Sequence, residues 1–177
     1  MTMTTTMKTI DVQEFCKWLA EGPEPHFRIG RAELHPEEPM YHWENCVWPG
    51  WMLELIVALG LVGEEQAETV ARSFCDRDSG TAYDAYPQFH WGAEAAANAA
   101  AARYGTAAQE TAMYYCGSEE WCGLDGIVAY VHGAGSPSDV AAVRAAYAAY
   151  HACRKRQLEA VRGLVTPRQI LDALATV

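Results

Sequence analysis

Residues 92–103 read Gly-Ala-Glu-Ala-Ala-Ala-Asn-Ala-Ala-Ala-Ala-Arg, a stretch that is almost pure alanine. Alanine has the highest intrinsic helix propensity, because its side chain loses no rotamer freedom and hides no polar group when the helix forms. The segment therefore predicts a helix whose local structure is barely in question. What such a helix lacks is bulk. Its neighbours must approach closely, and Tyr104, Met113, Tyr114 and Tyr115 on the next segment are the bulky complements within reach.

Helix grammar recurs along the rest of the chain. Asp11-Val12-Gln13-Glu14 has capping-box spacing, Val12, Phe15, Cys16 and Leu19 follow as an apolar stripe, and Gly22-Pro23 stops it. Residues 23–39 carry four prolines and read as loop, with one extended segment around 27–29. Met40 to Trp48 is expected to form a helical turn or two, broken at Pro49-Gly50. Trp51 to Val62 follows, apolar nearly all round and so central to the core. Glu64 to Asp78 predicts a surface helix with Ala67, Val70, Ala71, Phe74 and Cys75 inward, ended by Ser79-Gly80. Thr81 to Trp91 reads as an aromatic-dense loop.

Beyond the alanine helix, Gly105, Gly117 and Gly123 are expected to punctuate the chain, and Gly133-Ala134-Gly135 to turn it. Ser136-Pro137-Ser138-Asp139 then supplies an N-cap serine, a proline at the first helical position and an acid at the third. Val140, Val143, Tyr147, Tyr150, Gln157, Val161 and Leu164 recur at helical steps through about seven turns. Thr166-Pro167-Arg168-Gln169 repeats the start signal for a closing helix with Ile170, Leu171 and Leu174. The expected architecture is all-α, a compact multi-helix bundle with alanine-rich helices and a long C-terminal helix. A disordered leader over 1–10 and a single helical domain over 11–177 are expected.

A formal net charge of -10 over 177 residues opposes attraction to phosphate backbones and to anionic membrane surfaces. Neither nucleic acid nor membrane is therefore expected as a partner. An acidic surface steers a protein toward basic patches on other macromolecules, or serves solubility alone. The six cysteines, at 16, 46, 75, 116, 122 and 153, form no Cys-x-x-Cys pair and no disulfide framework. The first eight residues have no apolar stretch or small-residue cleavage site. The longest apolar run, Trp51 to Val62, is interrupted by Glu54 and is too short for a hydrocarbon core of roughly 30 Å. A cytoplasmic location with reduced thiols is expected.

Signals for chemistry are sparse. His42 and Cys46 stand four apart, as helical neighbours would, and Cys116, Cys122 and His132 form a second Cys/His group whose spacing matches no standard zinc site. Scattered cysteines of this kind also serve as small core residues. Glu54 is the one acid inside an apolar run, either a base with a raised pKa or a residue at a helix rim. There is no phosphate-cradling Gly-x-x-x-x-Gly-Lys. The basic run Arg154-Lys155-Arg156, flanked by Arg144 and Arg162, reads as a solvated face or a contact for an anion or acidic partner. No catalytic residue, metal ligand set or cofactor is expected.

Aromatic density remains. Tyr41, Trp43, Trp48 and Trp51 form one group, and Tyr83, Tyr86, Phe89 and Trp91, with His90, form another. Exposed Trp and Tyr are enriched at binding hot spots, whereas buried ones would fill a core that alanine leaves thin. The candidate binding residues are Trp43, Trp48, Tyr83, Tyr86, Phe89, His90 and Trp91.

At Trp43-x-x-Cys46 followed by Trp51-Met52-Leu53-x-Leu55, and again at Gln157-Leu158-x-x-Val161-Arg162 through Thr166-Pro167, the chain resembles the alanine-rich helical immunity-like (Imm-5-like) proteins of phages and actinobacteria. Trp48-Pro49-Gly50 stands where that group usually has Gly-Asp. The resemblance implies neutralising a toxin or another effector by binding it. The function expected is thus that of a non-enzymatic inhibitor acting on a protein effector or host protein, with a homo-oligomer open. The alternatives are a small metal-dependent or small-molecule-binding enzyme using Glu54 and a Cys/His group, and a phage structural or assembly component.

Overall fold

The structure, a computed structural model, describes residues 43, 46–77, 86–116 and 119–174. Among them it is all-α, with seven α-helices and no strand: α1 Pro49–Ala58, α2 Glu64–Arg72, α3 Gln88–Ala101, α4 Thr106–Cys116, α5 Glu119–Ala134, α6 Pro137–Arg162 and α7 Pro167–Leu174. A short 3-10 turn, Ala102–Tyr104, extends α3. The leader 1–10 and the helix expected from Asp11 lie outside the described residues. No helix among the described residues is long and apolar enough to cross a membrane.

The chain divides into two compact units. One holds α1, α2 as far as Ala71, Tyr86, and the chain from Leu158 onward; the other holds Arg72 to Arg77 and Pro87–Gln157. Both α2 and α6 contribute residues to each unit.

In the first unit, α1 starts at Pro49 rather than after it. Proline at the first helical position loses a donor that would be unsatisfied there in any case, so Pro49-Gly50 opens the helix instead of breaking the chain. The helix also stops earlier than its apolar run. Gly60 turns with φ 68°, its N–H donating to Val57 O and the Leu61 N–H to Ile56 O, which is the Schellman pattern of paired closing bonds. Trp51, Met52, Leu53, Leu55 and Ile56 are buried, as the all-round apolar pattern predicts, and so are Trp43, Cys46, Val62, Ala67, Ala71, Val161, Val165 and Ile170 of the same unit. Helix α2 ends at Arg72, so Phe74 and Cys75 lie past its end, half-buried. Arg162 donates from Nη2 to the Cys46 carbonyl at 3.2 Å, tying the end of α6 to the segment before α1.

The second unit is built on small residues. Ala97 and Ala101 of α3, Ala108 and Ala112 of α4, Ile127, Val128 and Val131 of α5, and Ala142, Val143 and Ala146 of α6 form one buried cluster. Alanine at consecutive helical turns lets the helix axes draw close. The bulk sits at the margin, where Met113, Tyr115, Leu124, Val140 and Tyr150 pack against the cluster half-buried. Of the four complements expected, Met113 and Tyr115 take that role, while Tyr104 and Tyr114 face outward. Gln109 Nε2 donates to Asn98 Oδ1, joining α4 to α3 beside the cluster.

One expected break is absent and one expected turn is narrower than its signal. Gly123 lies inside α5, and so do Gly133 and Ala134; the chain turns at Gly135. Burial of one flank outweighs the helix penalty of isolated glycines, which is about 1 kcal/mol each. The caps match their sequence signals. The Ser136 N–H donates to Asp139 Oδ2 at 2.6 Å and the Asp139 N–H to Ser136 Oγ at 3.2 Å, a reciprocal capping box at the start of the 26-residue α6. Thr166 and Gln169 exchange the same pair of bonds, 2.8 and 3.3 Å, at the start of α7.

Candidate binding surface

Helix α3 begins four residues before the alanine stretch, at Gln88, so the aromatic segment expected to be a loop through Trp91 is helical in its last four residues. Pro87 precedes it in helical backbone geometry, and its carbonyl accepts from the Trp91 N–H at 3.1 Å. The proline acts as a helix start here. That phase decides where each side chain goes. Phe89 falls on the inner face, fully buried, with its ring 5.5 Å from Phe74 and its carbonyl accepting from Gln157 Nε2 at 2.6 Å. Gly92 follows one turn later on the same flank, where a Cβ would stand 2.7 Å from the Phe74 carbonyl oxygen. Only glycine allows that approach.

The expected contact residues separate accordingly. Phe89 and Trp43 are buried, so neither can meet a partner at the surface, and both are core fillers of their own units. Trp48 is half-buried with its ring 5.3 Å from Trp51. His90 is exposed and contacts Glu94 at 3.1 Å one turn along α3. Trp91 is half-buried with the Arg77 guanidinium 5.2 Å over its ring. Tyr83 lies outside the described residues. Trp43, Trp48 and Tyr86 belong to the first unit, and Phe89, His90 and Trp91 to the second.

Tyr86 is half-buried, and burial, followed by the carboxylates of Glu68, Glu54 and Glu64, pushes its phenol up to about 12. Glu54 is thus one of three carboxylates that, after burial, disfavour ionisation of Tyr86. Among the described residues no group of three or more His, Cys, Asp or Glu could hold a metal ion. His42 and the side chains of Cys116 and Cys122 lie outside what is described, while Cys46 is buried and accepts from the Trp48 N–H through Sγ at 3.5 Å. The basic run is split. Arg154 is buried and donates to Gln157 Oε1 at 3.5 Å, whereas Lys155 and Arg156 are exposed.

Among the described residues the most exposed aromatic side chains lie elsewhere, on α4 and α5. Ala108 and Ala112 fix the inner face of α4, and Tyr114, two positions on and so about 200° around the helix, points away from it with 74% of its surface exposed. On α5, Val128 and Val131 are buried while Tyr130 faces out, 64% exposed. Tyr115 lies between them, half-buried against the alanine cluster. Its ring meets Tyr114 edge-on at 5.1 Å and 87°, and Tyr130 at 5.8 Å and 61°. Each such edge contact is favoured by about 0.5–1.5 kcal/mol beyond simple burial, so the anchored ring orients its two exposed neighbours.

Sequence reasoning missed this surface. Aromatics beside proline and glycine are the sequence signal, which leaves Tyr114 and Tyr115 as space fillers and gives Tyr130 no role. The signal that could have found it is helical phase, since Tyr114 and Tyr130 each fall off the apolar stripe of their helix. No protein-family model, no curated protein and no solved structure matches this chain.

Proposed function

We propose that this chain is a non-enzymatic helical binding protein that neutralises an effector by protein–protein contact, in an immunity or phage counter-defence setting. The observation that carries the reading is the tyrosine surface of α4 and α5, with two largely exposed rings held in place by a third rooted in the core. Tyrosine provides large contact area with few rotatable bonds, so holding it in position before contact lowers the entropy lost on binding. Such residues dominate hot spots in protein interfaces. The resemblance to immunity-like proteins points the same way.

The test is affinity capture from host lysate with the wild-type chain and with Tyr114→Ala/Tyr130→Ala in parallel. The expected result is a stoichiometric protein retained by the wild type and lost by the variant. If the wild type retains no protein that the variant does not, contact through this surface is refuted.

A further inference from the structure

We infer that the Tyr114, Tyr115 and Tyr130 surface docks an arginine-bearing basic segment of its protein partner; the inference rests on the protein-contact reading above and supplies the partner's chemistry. The first ground is charge. Residues 106–134, which span α4 and α5, contain Glu110, Glu119, Glu120 and Asp125 and no lysine or arginine. Glu110 is exposed one turn before Tyr114, on the same side of α4, while Asp125 is exposed on another side of α5 from Tyr130. The surface therefore offers π faces with a carboxylate one turn away.

The second ground is what that pairing recognises. A guanidinium is attracted to the negative face of an aromatic ring, and its planar fork fits a carboxylate in two-point contact. Arginine does both at once and is less strongly hydrated than lysine, so it is the cation such a surface selects. An apolar partner would leave that carboxylate desolvated, and an acidic partner or nucleic acid would meet like charge. The second unit already holds a guanidinium over an aromatic ring, where Arg77 lies over Trp91.

The probe is an octa-arginine peptide, titrated at physiological ionic strength and mapped by NMR, with octa-lysine and a neutral peptide of equal length beside it. The arginine peptide is expected to bind best and to shift the resonances of Tyr114, Tyr115 and Tyr130. Tyr114→Leu/Tyr130→Leu should weaken it roughly tenfold, while Tyr114→Phe/Tyr130→Phe, which keeps the ring faces, retains most of the affinity. Glu110→Gln, which removes the carboxylate one turn from Tyr114, should weaken it about three- to fivefold. Glu64→Gln/Glu65→Gln, which removes twice that charge from α2, should change it less than about twofold. All these positions but Glu64 and Glu65 lie on the surface under test, and circular dichroism checks that each variant keeps its helices.

Equal binding to every variant, peptide mapping to another surface, or no binding at all overturns the inference. A chain that self-associates through these tyrosines, seen as a dimer in sedimentation that Tyr114→Leu/Tyr130→Leu makes monomeric, overturns it as well. If lysate capture succeeds through the tyrosines but the arginine peptide does not bind there, the partner chemistry falls while protein contact stands. If capture also fails, both fall.

Discussion

Around α1, the buried positions are filled by Trp51, Met52, Leu53, Leu55 and Ile56, with Val161, Val165 and Ile170 from the C-terminal part of the chain. Around α3, the corresponding positions are Ala97, Ala101, Ala108, Ala112, Ala142 and Ala146, and the largest members of the cluster are isoleucine and valine. The α1 interior and the alanine cluster thus solve burial in opposite ways, while Phe89, at the start of α3 and outside that cluster, is a large side chain buried completely in the second unit. A large side chain removes more apolar area from water, whereas alanine contributes little area itself and instead brings backbones into contact. The alanine cluster has its large residues at the margin, and that is where the tyrosine surface arises.

The contrast predicts that the two interiors fail in opposite directions. Leu53→Ala removes a fully buried side chain and should destabilise by about 2–5 kcal/mol, read from the midpoint of urea unfolding. Ala112→Leu adds volume where helices are in close contact and should cost about 1–3 kcal/mol in the same measurement. A neutral outcome for Ala112→Leu would break the comparison, since it would mean that the second interior holds space for a larger side chain.

Smaller effects sharpen it. In the alanine unit, Ser136→Ala removes the hydroxyl half of the capping box and should cost about 1 kcal/mol. In the other unit, Tyr86 gives a pH signature. Its folded pKa of about 12 lies above the ordinary 10.0, so its contribution is fully present below pH 10.0 and is lost as pH rises through about 12. Alkaline titration followed by tyrosine absorbance and helix content should show that loss in the wild type and a shallower one in Tyr86→Phe. An identical alkaline profile for the two would mean that the phenol's surroundings do not couple to folding.

Much of the fold is legible in the sequence. The helix starts at Ser136 and Thr166, the alanine helix, the apolar α1 and the length of α6 all rest on interactions among residues at most a few positions apart. A capping box is a pair of bonds within four residues, and helix propensity is a property of each residue alone. The candidate site was less legible. Trp48, Tyr86, His90 and Trp91 keep some exposure, but Phe89 and Trp43 do not, and Tyr130 was absent from the expectation.

The residues that sequence misplaced share one property: their fate depends on partners far along the chain. Phe89 is buried because α3 begins before the alanine stretch and because Phe74 and Gln157 meet it there. Gly123 stays helical inside α5, whose Ile127, Val128 and Val131 join a cluster drawn from three other helices. Tyr114 and Tyr130 face outward because Ala112 and Val131 face inward. Composition and local pattern determined that this chain is a set of helices with alanine at its centre. Tertiary packing alone decided which aromatic rings fill the interior and which meet solvent, because helical phase acquires an inside and an outside only when neighbouring helices are in place.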